Sequence, residues 1–429
     1  MNLLIKNARV ISPQNKIDKE MDILIEDSRI KRISKGIKSK YRTIDAKNKI
    51  LSPGLIDMHV HLREPGREDE ETLLSGSLAA ICGGFSTIAC MANTNPPLDT
   101  EQDMDFIYSK NRKLNLIDIL PVGAVTKGMM QEELTEIAKL KRSGAIALSD
   151  DGFCIKDSNL LRHALEYAKM YNLAVISHCE ETDLSKDGVM NEGYMSTLLG
   201  LKGIPNIAES IIVARNISLS RLTGAHIHFA HISCKESVDL IREAKREGLN
   251  ITAETCPHYF TFSEDALRDY DTNFKVNPPL RTEEDIQAIK EALVDGTIDV
   301  ISSDHAPHLE SEKDLEFDKA PFGMIGLETS LGASYQLIEE KVISVKELIE
   351  KMSVNPAKVL NLNNKGIIKE GELADITLID PDKRWEVKEA DFKSKSKNSG
   401  FIGMKFQAKA ELVISSGRLV MEGFRIRKE

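Results

Sequence analysis

The sequence predicts an α/β protein, a (β/α)8 barrel of the TIM type with a small β-sandwich built from both termini. Three observations carry this reading. Short apolar runs alternate with longer amphipathic stretches through the middle of the chain, ligand-type polar residues collect at the ends of those runs, and both termini have the texture of short strands divided by turn residues.

Residues 3–11 (LLIKNARVI), 22–26 (DILIE) and 29–33 (RIKRI) are β-rich and show no helical period, so residues 1–52 are assigned to the N-terminal part of the sandwich. The barrel is assigned to residues 53–361. Its eight strand candidates are LIDMHVH (55–61), STIACM (86–91), LIDILPVG (116–123), AIALSD (145–150), AVISHC (174–179), HIHFAHI (226–232), NITAETC (250–256) and DVISSD (299–304). Helix-compatible stretches such as QEELTEIAKLKR (131–142) and EDIQAIKEALVD (284–295) lie between them. From Thr72 to Leu98 no residue is charged, and the glycines, serines and threonines there point to a buried helix followed by a buried strand, not a lipid-facing span. After residue 362 the strand texture returns in GIIKEGELADITLID and ELVISSGRLVMEGFRI, and residues 362–429 are assigned to the C-terminal part of the sandwich. KSKSK (393–397) reads as a mobile polar loop.

Composition narrows the function. With 429 residues, 41% hydrophobic and 29% charged, 26 glycines and 14 prolines, the chain is no disordered segment, collagen or coiled coil. A net charge of −10 leaves no basic field for a nucleic acid. The segment from Met1 to Lys16 lacks the layout of a signal peptide, so a cytoplasmic protein without a membrane anchor is expected. The six cysteines, at 82, 90, 154, 179, 234 and 256, form no C-x-x-C pair and are expected as reduced thiols.

Chemistry in such a barrel sits at the C-terminal strand ends. There the sequence offers His59 and His61, Asn93, Asp150-Asp151-Gly152, His178, His231 and Asp304. Strand parity puts His59, His61 and Arg63 on one face, pointing into the mouth, with Val60 and Leu62 outward. The same parity takes Ile227 and Phe229 inward with His231 and sends His226 and His228 toward the helices as structural residues. Each feature has a bland alternative: a rim histidine, a turn at Asp-Asp-Gly, a helix cap at Ser-Asp-His. Six such alternatives would have to coincide at one rim. Four histidines and two aspartates make a donor set suited to zinc or a similar divalent ion, and their number exceeds the need of one tetrahedral ion. A carboxylate bridging two ions would use all six, and such a pair acidifies a shared water, which points to hydrolysis or its reverse.

The segments PGLIDMHVHLREPG (53–66), MANTNPP (91–97), SDDG (149–152), ETCPHYF (254–260), NPPLR (277–281), SSDHAPH (302–308) and APFGMIGLET (320–329), with GELADI at 371–376, resemble dihydroorotases of the long class I bacterial type, cyclic amidohydrolases of pyrimidine biosynthesis. The resemblance implies reversible interconversion of N-carbamoyl-L-aspartate and (S)-dihydroorotate. It implies two zinc ions, one on His59 and His61 and one on His178 and His231, with Asp151 bridging. Asp304 would ligate the first ion and act as catalytic acid and base. His61, Arg63, Asn93, Asn277, His308 and the Phe322-Gly323 backbone would bind substrate, and the glycine in PFGMIG fits a loop that moves over the site. Related cyclic amidases carry a carboxylated lysine at the end of the fourth strand; this chain reads AIALSDDG there, so no such modification is expected. A homo-oligomer is expected, and aspartate transcarbamoylase is a candidate partner. Two rivals remain: an amidase for hydantoin, dihydropyrimidine or allantoin, whose substrates lack the carboxylate Arg63 would hold, and a scaffold barrel without metal, disfavoured because all six ligand positions are filled.

Overall fold

The computed structural model describes residues 1–427. Both termini build one nine-stranded sheet. Its joint is the strand Ile50–Pro53, which pairs parallel with Leu3–Ser12 on one side and antiparallel with Ile376–Asp380 on the other. Side chains of these strands and of the neighbouring Ile17–Glu26 and Lys409–Ser415, among them Ile5, Val10, Ile23, Leu51, Ile376, Leu378 and Leu412, close a buried apolar core of their own. Gly54 then passes the chain into the barrel. A side chain at Gly54 would begin 2.1 Å from Ser86 Oγ, so the crossing needs a residue without one.

Barrel strands run at Leu55–Val60, Phe85–Cys90, Asp118–Pro121, Val175–Ser177, Ile227–Phe229, Ile251–Thr255 and Val300–Ile301, with parallel pairing inside two groups, one of three strands and one of four. Single bridges complete the ring. Leu148 bonds to Gly123 and Val175 between the groups, and Val60 meets His305 at the closing seam. The run at 145–150 is therefore not a regular strand. It still bonds to both neighbours, through Gly123 N to Ala147 O and Ser149 N to Gly123 O on one side and Leu148 N to Ala174 O and Ile176 N to Leu148 O on the other. Past it the Asp150 carboxylate takes the N–H groups of Val125 and Thr126. The barrel interior holds Met58, Ala89, Met91, Val122, Ala174, Ile176, Ala230 and Val300, small or flexible side chains that fit its narrow bore.

The uncharged segment forms the helix Leu73–Gly83, started by a capping box of Thr72 with Ser75 and stopped by Gly84 at φ 93°, and then the buried strand Phe85–Cys90. No helix among the described residues is long and apolar enough to cross a membrane. Thr282 and Asp285 box the start of the helix Glu283–Asp295. The stretch at 131–142 is helical only over Ile137–Arg142, because residues 133–135 pair back onto residues 125–127 through Lys127 N to Glu133 O, a Thr126–Leu134 bridge and Thr135 N to Val125 O.

The C-terminal part departs from the sequence reading in two ways. The ribbon of Trp385–Glu386 with Lys405–Phe406 leaves the sandwich, and Phe392, Phe401 and Phe406 pack with Tyr259, Met324 and Ile325 beside the barrel mouth. The segment at 393–397 is no free loop. Ser394 and Ser396 are buried, and their hydroxyls donate to the Glu71 carboxylate and the Glu70 carbonyl, while the Lys393 and Ser394 amides donate to Glu328. Lys393 and Lys395 face outward and the serines inward, which composition alone cannot reveal.

Candidate metal centre and active site

The six ligand-type residues converge at the C-terminal end of the barrel. His59 Nε2 and His61 Nε2 lie 3.3 and 3.5 Å from Asp151 Oδ2, and 3.6 and 3.2 Å from Asp304 Oδ1. Asp151 Oδ1 lies 3.3 Å from His231 Nε2 and 3.9 Å from His178 Nδ1, and those two nitrogens are 3.0 Å apart. One carboxylate thus turns one oxygen to each histidine pair. Asp150, its neighbour, faces away and holds the backbone of Val125 and Thr126.

Local backbone explains the convergence. The ladder of the first strand is irregular between Asp57 and Val60, and Asp57 Oδ1 accepts the His59 amide. Arg63, His231 and Asp304 adopt left-handed backbone, at φ 57°, 34° and 46°. For non-glycine residues this costs on the order of 1 kcal/mol or more, and such strain clusters at sites that do chemistry. It also overturns part of the parity argument. Ile227 and Phe229 belong to the apolar cluster shared with the surrounding helices, while His228 faces the interior with its Nε2 3.2 Å from Glu254 and its Nδ1, like His226 Nε2, 2.8 Å from Thr252 Oγ1. The turn at His231 brings its ring inward from the opposite parity. Arg63 lies beyond the strand end and is likewise set by its own turn.

The imidazoles are oriented from behind. His59 Nδ1 is 2.6 Å from Glu254 Oε1, His61 Nδ1 is 2.7 Å from Asn93 Oδ1, and His178 Nε2 is 2.9 Å from Glu180 Oε2, which also accepts from Asn277 Nδ2 at 3.1 Å. Such partners fix the ring and its tautomer. Burial opposes charge on His59, but the Asp151 and Glu254 carboxylates outweigh it and raise the imidazole well above its ordinary pKa. Burial likewise opposes an ionised Asp151, yet His59 and His231 hold its carboxyl well below the usual range. His59 Nε2 is buried with no hydrogen-bond partner although it faces two carboxylates. An imidazole nitrogen left without a partner among carboxylate oxygens fits a divalent cation.

The substrate candidates line the same mouth. Arg63 Nε donates to Pro307 O and lies 3.2 Å from Glu70 Oε2; His308 lies between Glu70 Oε1 at 3.1 Å and the Phe322 carbonyl at 2.8 Å. Gly323, at φ 134°, leaves no room for a Cβ, which would sit 2.8 Å from that of Ala306; close packing accounts for this glycine without appeal to motion. Glu180, Glu254, and Cys256 and His258, whose ligand atoms lie within 4.8 Å of each other and of an Asp304 oxygen, escaped the sequence reading as site residues. The signals for them were a glutamate two residues after His178 and a glutamate two residues before Cys-Pro-His at the end of the seventh run.

A barrel and sandwich carrying this histidine and aspartate cluster define a metal-dependent amidohydrolase. The Amidohydrolase family matches residues 228–421, and the L-hydantoinase (dihydropyrimidinase) of Arthrobacter aurescens superposes with a TM-score of 0.89 at 26% identity, over 100% of this chain and 98% of that one. The dihydropyrimidinase of Brevibacillus agri gives 0.88 at 25% identity, over 99% and 96%. The Dihydro-orotase-like family matches residues 48–237, and the dihydroorotases of Trichlorobacter lovleyi and Geobacter metallireducens are 49% and 50% identical over 99% and 98% of this chain and 100% and 99% of theirs. The chain belongs to the dihydroorotase family.

Proposed function

We propose that this chain interconverts N-carbamoyl-L-aspartate and (S)-dihydroorotate with two zinc ions, one on His59, His61 and Asp304, one on His178 and His231, and Asp151 shared between them. The observation that carries the reading is the Asp151 carboxylate with one oxygen toward each histidine pair. It fills the place that a carboxylated lysine would take. Bound divalent ions would supply an acidified water and polarise the amide carbonyl.

The chain's own residues do the rest. Asp304 takes a proton from the attacking water and returns it to the departing ring nitrogen, and in the biosynthetic direction the transfers reverse. Arg63 holds the substrate carboxylate, since a guanidinium suits paired hydrogen bonds to a planar anion. Asn93 spends its oxygen on His61 and keeps its NH2 group for the same carboxylate. Asn277, with one N–H on Glu180, offers its carbonyl and second N–H. His61 lines the carboxylate end, and His308 with the Phe322-Gly323 backbone bounds the ring. The same reading gives a cytoplasmic setting, in which the six free cysteines stay reduced, and self-association and binding to aspartate transcarbamoylase belong to it. Gel filtration of the chain alone and mixed with that enzyme tests both associations.

The direct test is hydrolysis of L-dihydroorotate by the chelator-stripped protein before and after zinc is restored. Zinc-restored turnover of dihydroorotate, with hydantoin and allantoin inert, is expected; turnover of hydantoin in preference would overturn the substrate assignment. A second result bears on the metal. Glu254→Gln, which weakens the acceptor behind His59, is expected to lower zinc affinity by about 10- to 100-fold in competition with a chromophoric chelator. Unchanged affinity would remove Glu254 from the centre.

A further inference from the structure

We propose that Glu70 is a positioning residue for substrate binding, one that sets the Arg63 guanidinium and the His308 imidazole together and so governs affinity for the substrate carboxylate. The inference rests on the substrate roles given above to Arg63 and His308.

Glu70 is 2% exposed, and both of its oxygens are engaged. Oε2 lies 3.2 Å from Arg63 Nε, while Oε1 lies 3.1 Å from His308 Nδ1 and 3.1 Å from Arg67 Nη2. Arg63 Nε also donates to Pro307 O at 3.1 Å. The Nε edge of the guanidinium is therefore consumed by the protein, and the two Nη groups are left as the edge that can meet a carboxylate. On the same side, Arg63 Nη2 lies 3.4 Å from His308 Nε2, so one carboxylate fixes the relative position of two groups assigned to one substrate. Arginine is costly to order, because its long side chain loses several rotatable bonds, and a partner that orders it before binding removes that cost from the binding step.

Glu70 is itself held. Its amide donates to Arg67 O at 3.0 Å, and its carbonyl accepts from Ser396 Oγ at 2.8 Å. Glu71 beside it meets His305 Nε2 at 3.2 Å and accepts from Ser394 Oγ. The buried serines of the C-terminal segment thereby clamp the loop that carries Glu70.

A second carboxylate next to Arg63 could also act only as a competitor for the incoming anion, and the two roles have opposite signatures. A positioning role predicts that Glu70→Gln raises KM for L-dihydroorotate by about 10-fold with kcat within about threefold and zinc content unchanged. A competitor would lower KM. A purely structural ion pair would lower Tm without separating KM from kcat. Arg63→Met in parallel separates the possible failures. If Arg63→Met leaves KM unchanged, the substrate role of Arg63 fails; if it raises KM while Glu70→Gln does not, the Glu70 assignment fails and the substrate role stands. In the double variant, Glu70→Gln should add less than about twofold to the KM of Arg63→Met, because the glutamate acts through the arginine. Should Glu70→Gln not fold, Glu70→Asp keeps the charge, shortens the reach by one methylene and is read by the same split; an unchanged KM in that variant overturns the proposal.

Discussion

Asp304→Asn is expected to lower turnover by about a thousandfold or more while the protein keeps its metal. The residue follows the short strand Val300–Ile301, and left-handed backbone at φ 46° aims it into the mouth. Its Oδ1 lies 3.2 Å from His61 Nε2 and 3.6 Å from His59 Nε2. Among the six ligand-type residues its side chain is the most open, at 12% exposed against 0% for His59 and 4% for Asp151. Opening a ring amide moves one proton from water to nitrogen, and the carrier has to reach both. Asp304, the most open of the six and a carboxylate that can take up and release a proton, is the residue placed to do so. Asparagine keeps the size and one oxygen donor of aspartate but cannot take up a proton, so kcat and kcat/KM should fall together, as for a group that acts in the transition state. Elemental analysis should find the metal content little changed. A variant that retained a tenth of wild-type turnover would take the proton-carrying role away from Asp304.

The barrel was legible because parallel strands buried on both faces write continuous apolar runs, and because the ligand-type residues stand at the ends of those runs. Seven of the eight runs are strands; the run at 145–150 bridges both neighbours only at Leu148, and its Asp150 carboxylate then takes the Val125 and Thr126 amides, a local arrangement that hydrophobic pattern does not record. The inward or outward sense of His226 and His228 was lost for a related reason. Parity holds only while the backbone stays extended, and His231 breaks it. Glu180 and Glu254 could not be found by looking for ligands, because they act from behind the ligands, Glu180 from two residues past His178 and Glu254 from another strand. Glu254 stands 195 residues from the His59 ring it orients. The serines at 394 and 396 show a third limit. In sequence they look like solvent-facing spacers between lysines, and only the long-range contact with Glu70 and Glu71 buries them.

Adjacent aspartates give the second large effect. Asp151→Ala is expected to reduce bound zinc from about two to fewer than one per chain and to abolish measurable turnover, while Asp150→Ala keeps its metal and loses stability. Asp151 is the one group within reach of all four histidines, at 3.3 and 3.5 Å from one pair and 3.3 and 3.9 Å from the other. Without it, His59 and His61 retain only Asp304 as a charged partner in the cleft, and His178 and His231 retain none there. Neutral imidazoles alone bind a divalent ion without offsetting its charge in a buried site, so the second pair should empty first. Asp150 makes the opposite case. Its oxygens accept from the Val125 and Thr126 amides and the Thr126 hydroxyl, and truncation strands those buried donors at about 1–3 kcal/mol. Thermal melts and elemental analysis on the two variants read both effects. Two metal ions retained in Asp151→Ala would mean that the histidine pairs hold their ions independently, and the shared-carboxylate centre would have to be given up.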